Sequence, residues 1–470
     1  MDKEQEQKLV LKIADLLREN KKLSNQLKDT TDSNKKLSKQ NEKLENIISS
    51  IPPDVLPKEA SIQMKSRTTR FEMATVLYAD IQGFKKIAEQ AGTSDIIDEL
   101  DQIIFHFNSI VKKYKIEKIK TIGDAYMCAG GVPVKNITNP VDVVLAALEM
   151  QDYLNTLKEE YESNDKKFWD LKMGIHTGPV TATLLGRKKI SYELKGDTVN
   201  IATRMASAGE VSQINISIMT YELVKQYFVC EYNGKIPVKY KGDMEMYFLK
   251  RIKPPFSEDR KKGRKPNQIL WNKYLLRQFT DLQEIVLDRL EKELPPYLYY
   301  HNFKHTIDVI NQAELIGYGE GVDDESILLL KTAALFHDAG HIIDYDEHEY
   351  NGTQLAREYL PKYRYTQDQI DRICELIMAT KLPPDPKSLL ESIMCDADLD
   401  YLGRSDFIPV SNTLYKELKE QDKIGSLNDW NKIQVKFLSN HQFFTKTALN
   451  LREVNKQMQV ERIKKLVEAE

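Results

Sequence analysis

Apolar residues recur every seven positions along the first 50 residues of the chain. Leucine dominates one seam of this repeat, and asparagine recurs on the other. The first seam is Leu9, Leu16, Leu23, Thr30, Leu37 and Leu44, and the second is Ile13, Asn20, Leu27, Asn34, Asn41 and Ile48. Because buried asparagines satisfy each other only in register, the pattern predicts a parallel two-stranded coiled coil over residues 1–50. The alternative is a lone solvated helix; in either case Ile51-Pro52-Pro53 ends it.

Short apolar runs that indicate β-strands begin after residue 67. Thr75–Ala79 reads as a buried strand that ends at Asp80. Two further β-rich runs are separated by Gly123-Asp124, which predicts a two-residue hairpin. Each aspartate alone is most often a turn former. Together, Asp80 and Asp124 offer two hard carboxylates, which suit Mg²⁺ or Mn²⁺ carrying a triphosphate.

A helical segment, GDTVNIATRMAS, follows the strands, and Asp197 or Thr198 is its predicted N-cap. Asn200 and Arg204 lie four residues apart, so they project from one face of this helix. An amide and a guanidinium together can hold a ribose oxygen and a pentavalent phosphorus. An exposed pair of this kind is more often ordinary surface.

Residues 253–268 read as a linker, because they are basic, contain proline and show no apolar period. A nucleic-acid patch is the alternative, but it would need interleaved aromatic residues. Beyond this segment, residues 269–470 show long helical patterns and predict an all-α domain.

Histidines cluster in the helical region. Of the eight in the chain, five fall between residues 301 and 348: His301, His305, His337, His341 and His348. Two pairs have a spacing of four, which would place each pair on one helix face. A lone helical histidine is usually a satisfied core residue. The paired spacing, Asp338 beside His337 and the later DADLD segment instead predict a metal centre.

Composition narrows the class of protein. A chain of 470 residues with 41% apolar residues and a net charge of −3 predicts two or three folded domains, and it argues against global disorder and bulk nucleic-acid binding. The four cysteines form no CxxC pair, which argues against a disulfide framework or a zinc ribbon and fits a reducing compartment. No apolar run reaches membrane-spanning length, and MDKEQEQK is not typical of a signal peptide. We therefore expect a cytoplasmic protein without membrane or nucleic-acid partners.

Residues 68–252 resemble the class III nucleotidyl cyclases. The resemblance lies in five segments in the family's order: VLYADIQGF, KIKTIGDAYMCAGG, MGIHTGPV, SYELKGDTVNIATRMAS and VKYKGDMEMYFL. It implies an α/β domain of ferredoxin-like βαββαβ type in which Asp80 and Asp124 bind two Mg²⁺ or Mn²⁺ ions. It also implies that Asn200 and Arg204 stabilise the transition state. The other implied nucleotide-binding residues are Lys239 or Lys241 at the terminal phosphates, and Gly83 and Phe84 in the first motif.

The resemblance also bears on substrate and assembly. Lys120 and Glu193 occupy the family's base-reading positions, which favours ATP over GTP; by residue type alone, the pair would suit guanine as well. Glu193 is one methylene longer than the usual Asp, and Lys85 replaces a hydroxyl residue. Family sites lie between two such domains, so the resemblance implies a parallel homodimer with two equivalent sites. Residues 51–67 resemble the transducing junction that often precedes these domains.

The helical region resembles the HD-domain metal-dependent phosphohydrolases. The similar segments are YYHNFKHTIDV, LFHDAGH, LIMATK and CDADLDYLGR, and the first is similar to a cyclic-nucleotide phosphodiesterase signature. The resemblance implies a first ion, such as Zn²⁺, Mn²⁺ or Fe²⁺, on four ligands: His305, His337, Asp338 and Asp398, with Asp396 as the alternative to Asp398. It further implies a second ion or its water shell at His341 and His348, and a proton donor at His301.

These resemblances predict a homodimeric adenylate cyclase that converts ATP to 3′,5′-cyclic AMP and pyrophosphate, followed by an HD domain that hydrolyses a cyclic nucleotide. Past LFHDAGH the sequence leaves the phosphodiesterase pattern. Two alternatives therefore stay open for the HD domain: another phosphate ester or nucleotide as substrate, or a non-catalytic sensor that sets the activity of its neighbour.

Overall fold

One mixed sheet organises the first part of the computed structural model, which describes residues 68–82, 93–122, 125–163, 170–185, 191–238 and 242–468. The strands in these residues are β1 (Thr68–Gln82), β2 (Glu117–Ile122), β3 (Ala125–Gly130), β4 (Asp170–Leu185), β5 (Ser191–Lys195), β6 (Ile214–Ser217), β7 (Phe228–Val238) and β8 (Gly242–Ile252). Their order in the sheet is β2-β3-β1-β4-β6-β8-β7, and β5 pairs with β4. The pairing of β4 with β6 is parallel. We call residues 68–252 the sheet part.

Helices cover both faces of the sheet. They are α1 (Thr93–Lys113), α2 (Asn139–Glu162), α3 (Asp197–Ala208) and α4 (Ile218–Val224). The chain runs β1-α1-β2-β3-α2-β4, so the first six elements follow the expected βαββαβ order. One face of the sheet holds α1 and α2, and the other holds α3. At the crossing of α3 and β4, a Cβ on Gly174 would lie only 2.1 Å from the backbone nitrogen of Ala206. Glycine is the residue that permits this contact.

Alternation along β1 decides which face each side chain meets. Leu77 and Ile81 pack with α1 and α2, whereas Val76 and Tyr78 pack with Ala202 of α3. Because side chains alternate along a strand, Asp80 lies on the α3 face at the end of β1.

The second part of the chain is helical. Its helices are α5 (Gln268–Glu293), α6 (Phe303–Gly319), α7 (Asp324–Phe336), α8 (His348–Tyr359), α9 (Gln367–Ala379), α10 (Leu389–Asp398), α11 (Phe407–Glu420), α12 (Leu427–Asn440) and α13 (Lys446–Glu468). We call residues 268–468 the helical part. None of the helices in the described residues has both the length and the apolar character needed to cross a bilayer.

Several local predictions can be compared with these elements. The hairpin is confirmed, because Ile122 pairs with Ala125 in antiparallel register. The N-cap of α3 is Gly196, not Asp197 or Thr198; the Thr198 hydroxyl instead donates to the Pro179 carbonyl at 2.7 Å. The predicted coiled coil and junction, residues 1–67, lie outside the described residues.

The linker folds into an ordered turn that joins the two parts. Ser257 and Pro266 form a β-bridge, and Asp259 accepts hydrogen bonds from the backbone nitrogens of Gly263 and Arg264 at 2.7 and 3.1 Å. Thr68–Glu470 forms one compact unit, with the sheet part and the helical part in direct contact.

Asp142 on α2 is buried in this contact. Tyr274 of α5 donates to its two carboxylate oxygens at 3.0 and 3.1 Å, and the Arg364 guanidinium lies 3.5 Å away. Thr138 donates to the Tyr274 oxygen at 2.9 Å. A buried carboxylate therefore sits between the two parts with one cation in contact.

We expect the free energy of unfolding to fall as the pH rises from about 4 to about 7 because of Asp142. Burial raises its pKa to about 7, although Arg364, the hydrogen bonds from Tyr274 and Thr138, and Lys115 favour the charged form. Between these pH values the unfolded chain releases the proton and the folded chain keeps it, which favours unfolding by up to about 4 kcal/mol at pH 7.

Urea denaturation of Asp142→Asn at low and neutral pH checks this expectation. The variant should gain stability relative to the natural chain as the pH rises, since asparagine does not titrate. Asp101→Asn, on the exposed face of α1, controls for the substitution itself. A stability difference that is the same at both pH values would contradict the prediction.

Candidate active sites

The sheet part places Asp80 at the end of β1, half-buried. Asp80 lies between β3 and β4, where its register partners are Ala125 and Lys172. Ala125 directly follows Asp124 in the sequence. The described end of the hairpin is therefore beside Asp80. The other predicted residues of this region, Gly83, Phe84, Lys85, Asp124, Lys239 and Lys241, lie outside the described residues.

Asn200 and Arg204 are exposed on α3. The buried face of this helix, which includes Ile201, Ala202 and Met205, packs on the sheet. Arg204 donates to the Pro237 carbonyl of β7 at 2.7 Å. The predicted amide and guanidinium thus lie on the solvent-exposed side of α3, where a second chain could reach them.

The two predicted base-reading residues lie on strands that contact each other, β2 and β5. Lys120 is exposed on β2, and Glu193 is half-buried on β5, where it pairs with Thr183 of β4. The Lys195 ammonium lies 3.3 Å from the Glu193 carboxylate. Both side chains are accessible to a ligand.

Four side chains converge in the helical part: His305, His337, Asp338 and Asp398. The His305 Nε2 atom lies 3.2 Å from Asp398 Oδ1, 3.4 Å from Asp338 Oδ2 and 3.4 Å from His337 Nε2. The His337 Nε2 atom lies 3.2 Å from Asp338 Oδ2 and 3.4 Å from Asp398 Oδ1. Ligands on a tetrahedral ion with bonds of about 2.1 Å are about 3.4 Å apart. The donor set therefore fits a divalent transition ion.

A second group shares Asp338. One ligand atom each from His301, Asp338 and His341 lies within 4.8 Å of the others, and His348 Nε2 is 3.7 Å from Asp338 Oδ1. Both ring nitrogens of His341 are buried without a hydrogen-bond partner. Burial lowers the pKa of His341 far below its usual value, so the ring is neutral and able to bind a metal. Unpartnered buried nitrogens beside a carboxylate fit a second ion.

Turns between helices position these ligands. His305 lies in the first turn of α6, His337 caps the end of α7, and His341 lies in the 3-10 turn Ala339–Ile342. His301 precedes α6 altogether. The expectation that each histidine pair shares one helix face is therefore wrong, because α6 begins after His301 and α7 ends before His341.

Backbone carbonyls orient two of the rings. The His337 Nδ1 atom donates to the Ala334 carbonyl at 2.9 Å, and the His348 Nδ1 atom donates to the Tyr345 carbonyl at 2.9 Å. Each bond fixes the tautomer and leaves Nε2 free to face the cluster.

Sequence reasoning missed Glu417 on α11, which is fully buried against His301. Its Oε1 atom lies 2.5 Å from His301 Nδ1, and its Oε2 atom accepts from the backbone nitrogens of Tyr300 and His301 at 2.9 and 3.1 Å. Burial alone would lower the pKa of His301, but the hydrogen bond to Glu417 and the nearby Asp338 raise it. The ring is therefore held ready to carry a proton.

Asp396 is not part of the cluster, which corrects one predicted alternative. Its carboxylate accepts hydrogen bonds from Phe444 and from the backbone and hydroxyl of Thr445, at 2.7 to 3.2 Å. Asp396 lies two positions before Asp398 on α10, so its side chain points in a different direction, away from the site. Asp398 is therefore the aspartate that reaches the cluster.

A cavity of about 470 Å³ opens onto the cluster at His301, Asp338, His348 and Asp398. Its outer wall is apolar and includes Phe407, Leu418, Trp430, Ile433 and Phe437. A smaller cavity of about 250 Å³ reaches His305 and Asp398 from the side of Lys304 and Arg404.

Two known protein families match the sheet part and the helical part separately. Residues 66–251 match the adenylate and guanylate cyclase catalytic domain, and residues 302–400 match the HD domain. The chain contains a class III adenylate/guanylate cyclase catalytic domain and, C-terminal to it, an HD domain.

Known proteins similar to the chain include both kinds of cyclase. An adenylate cyclase of Mycobacterium tuberculosis is 31% identical over 224 residues, which cover 47% of this chain and 50% of that protein. Guanylate cyclase 32E of Drosophila melanogaster is 34% identical over 193 residues, covering 40% of this chain and 16% of that protein. Among solved structures, the adenylyl cyclase CyaB from P. aeruginosa is 28% identical, with a TM-score of 0.37 and coverage of 39% of this chain and 95% of that chain.

Proposed function

We propose that the chain is a homodimeric adenylate cyclase that converts ATP to 3′,5′-cyclic AMP and pyrophosphate. We propose further that its HD domain hydrolyses a phosphate ester, with cyclic AMP as the first candidate. The observation that carries the cyclase proposal is the geometry of α3, which turns Asn200 and Arg204 outward while Asp80 ends a sheet strand. In a two-fold pair, the outward face of one chain can meet the strand end of the other.

In the proposed cyclase site, Asp80 and Asp124 hold two Mg²⁺ or Mn²⁺ ions, which supply charge neutralisation and activate the ATP 3′-oxygen. Asn200 of the partner chain orients the ribose, and Arg204 stabilises the charge that develops on the α-phosphate. Lys239 or Lys241 holds the terminal phosphates, and Gly83 and Phe84 contact the nucleotide. The 3′-oxygen forms a bond to the α-phosphorus as the bond to pyrophosphate breaks, so no covalent enzyme intermediate is needed.

Base choice rests on Lys120 and Glu193. A lysine can donate to adenine N1 while a carboxylate accepts from the exocyclic amine, and the two residues lie on contacting strands. Similarity to an adenylate cyclase supports ATP; similarity to a guanylate cyclase keeps GTP as the alternative.

In the proposed HD site, His305, His337, Asp338 and Asp398 hold the first ion and His341 and His348 help to hold the second. Such ions, of the Zn²⁺, Mn²⁺ or Fe²⁺ class, lower the pKa of water and neutralise phosphate charge. His301 faces the cavity and donates a proton to the leaving oxygen, while Glu417 positions the imidazole from behind. The apolar cavity wall suits an ester that carries an aromatic base, which supports a nucleotide over a purely polar phosphate.

Incubation of the full chain with ATP or GTP, in the presence of Mg²⁺ or Mn²⁺, tests the proposed function. We expect chromatography to show cyclic AMP and pyrophosphate from ATP, at a kcat/KM at least about tenfold above that for GTP. Cyclic AMP added alone should yield AMP. A higher kcat/KM with GTP would overturn the base assignment, and cyclic AMP that stays intact would overturn the HD assignment.

A further inference from the structure

The first turn of α2 is bonded to both parts of the chain. Thr138, Asn139 and Asp142, which lie in or next to this turn, are at most 2% exposed. Asn139 faces the sheet part, whereas Thr138 and Asp142 face the helical part. The first turn of α2 is thus a buried, hydrogen-bonded contact between the sheet part and the helical part.

On the sheet side, this turn holds the strands that lead to Asp80. Asn139 accepts a hydrogen bond from the Thr75 hydroxyl of β1 at 2.6 Å and donates to the Met73 carbonyl at 3.4 Å. A Cβ on Gly130 of β3 would lie 3.0 Å from the Asn139 Cβ. Because Thr75 pairs with Gly130 and Asp80 pairs with Ala125, the turn contacts the same two strands whose other ends form the proposed metal site.

On the helical side, the turn contacts Tyr274 and Arg364, and each of these is connected to a helix that carries a residue of the metal cluster. Tyr274 donates to Asp142, and its neighbour on α5, Lys273, pairs with Asp324 at the start of α7 at 2.8 Å. The end of α7 carries His337. Arg364, 3.5 Å from Asp142, follows α8 and its closing 3-10 turn, and α8 begins at His348.

Further contacts make the connection stiff. The Ile137 backbone nitrogen donates to Asp281 of α5 at 2.8 Å, and Lys115 donates to the Lys362 carbonyl at 2.5 Å. Buried apolar residues of the sheet part and the helical part form one continuous core. Because a packed interior is hardly compressible, a shift of α5 should move α2 as well.

We propose that Tyr274 and Arg364, two residues of the helical part, are positioning residues for the cyclase reaction. They fix the first turn of α2, and this turn fixes the β1–β3 pair that carries Asp80. The inference rests on the proposed cyclase activity. Neither residue is placed to touch substrate: Thr75 and Asp80 are five residues apart on an extended strand, or about 17 Å.

The test compares the full-length chain with its Tyr274→Phe variant, which keeps the ring and removes the hydroxyl bonded to Asp142. Tyr318→Phe, at a tyrosine that is 57% exposed on α6, is the matched control. We expect kcat for cyclic AMP synthesis to fall roughly tenfold or more, since misplacement of a reacting group by an ångström is costly. We expect KM for ATP to change less than about twofold, because the nucleotide contacts are intact.

Hydrogen exchange supplies a readout that does not depend on activity. Amides of 75–80 and 125–130 should exchange faster in Tyr274→Phe, while those of α10 beside the metal cluster stay protected. Unchanged kcat and exchange would overturn the proposal, as would a uniform rise in exchange throughout the chain. If the natural chain makes no cyclic nucleotide, the proposed function fails, but the exchange pattern still decides whether Tyr274 holds these strands. If Tyr274→Phe does not fold, Arg364→Met is measured in the same way.

Discussion

Two chains that are each inactive as cyclases should restore activity when they are produced together. Asp80→Asn removes the acidic ligand from both sites of a homodimer, and Arg204→Ala removes the guanidinium from both. In a mixed dimer one site receives both substitutions and the other receives neither. Random pairing makes half of the dimers mixed, so we expect about a quarter of the natural activity, against a loss of roughly a hundredfold or more for each variant alone.

The matched control is the combination of Arg204→Ala with Asn200→Ala. Both residues are contributed by the same face of α3, so each site of the mixed dimer lacks one of them. We expect no restoration from this combination. Measurement of cyclic AMP formed from ATP by the co-purified chains decides the matter. Activity that stays absent in the Asp80→Asn and Arg204→Ala mixture would show that the site is not shared between two chains.

The sheet part illustrates which features can be predicted from a sequence. The apolar run Thr75–Ala79 and the Gly123-Asp124 pair predicted a strand and a hairpin, because these patterns depend on neighbouring residues. The four-residue spacing of Asn200 and Arg204 predicted a shared helix face for the same reason. The N-cap of α3 was predicted wrongly, because Thr198 has a tertiary partner in the Pro179 carbonyl.

The helical part shows where local patterns mislead. Histidine spacing predicted residues that lie close together in the structure, but it predicted the wrong local geometry, since His301 precedes α6 and His341 lies in the 3-10 turn after α7. The role of Glu417 could not be predicted from the sequence, because a glutamate in an amphipathic helix is usually exposed. Only the fold brings its carboxylate to 2.5 Å from His301 Nδ1. Asp142 was missed for a similar reason: an acid in the first turn of a helix is ordinary, and its burial depends on Tyr274, 132 residues away.

Asp338→Asn should abolish hydrolysis by the HD domain, because Asp338 is the residue that both groups of ligands share. Its Oδ2 atom lies 3.2 Å from His337 Nε2, and its Oδ1 atom lies 3.7 Å from His348 Nε2. An amide has one oxygen and no charge, so it cannot serve two ions in place of a carboxylate. We expect hydrolysis of cyclic AMP to fall by roughly a thousandfold or more and the metal content of the purified chain to fall with it.

The same variant should still make cyclic AMP from ATP, so the product should accumulate where the natural chain converts it to AMP. Asp346→Asn is the matched control: this aspartate also lines the cavity, but its side chain is exposed and pairs with Lys423 at 2.9 Å. It should leave both hydrolysis and metal content unchanged. Equal accumulation of cyclic AMP in the natural chain and in Asp338→Asn, with less metal bound by the variant, would assign the ions a structural or sensing role. In that case the helical part would influence synthesis through its contact with α2, and not by removing the product.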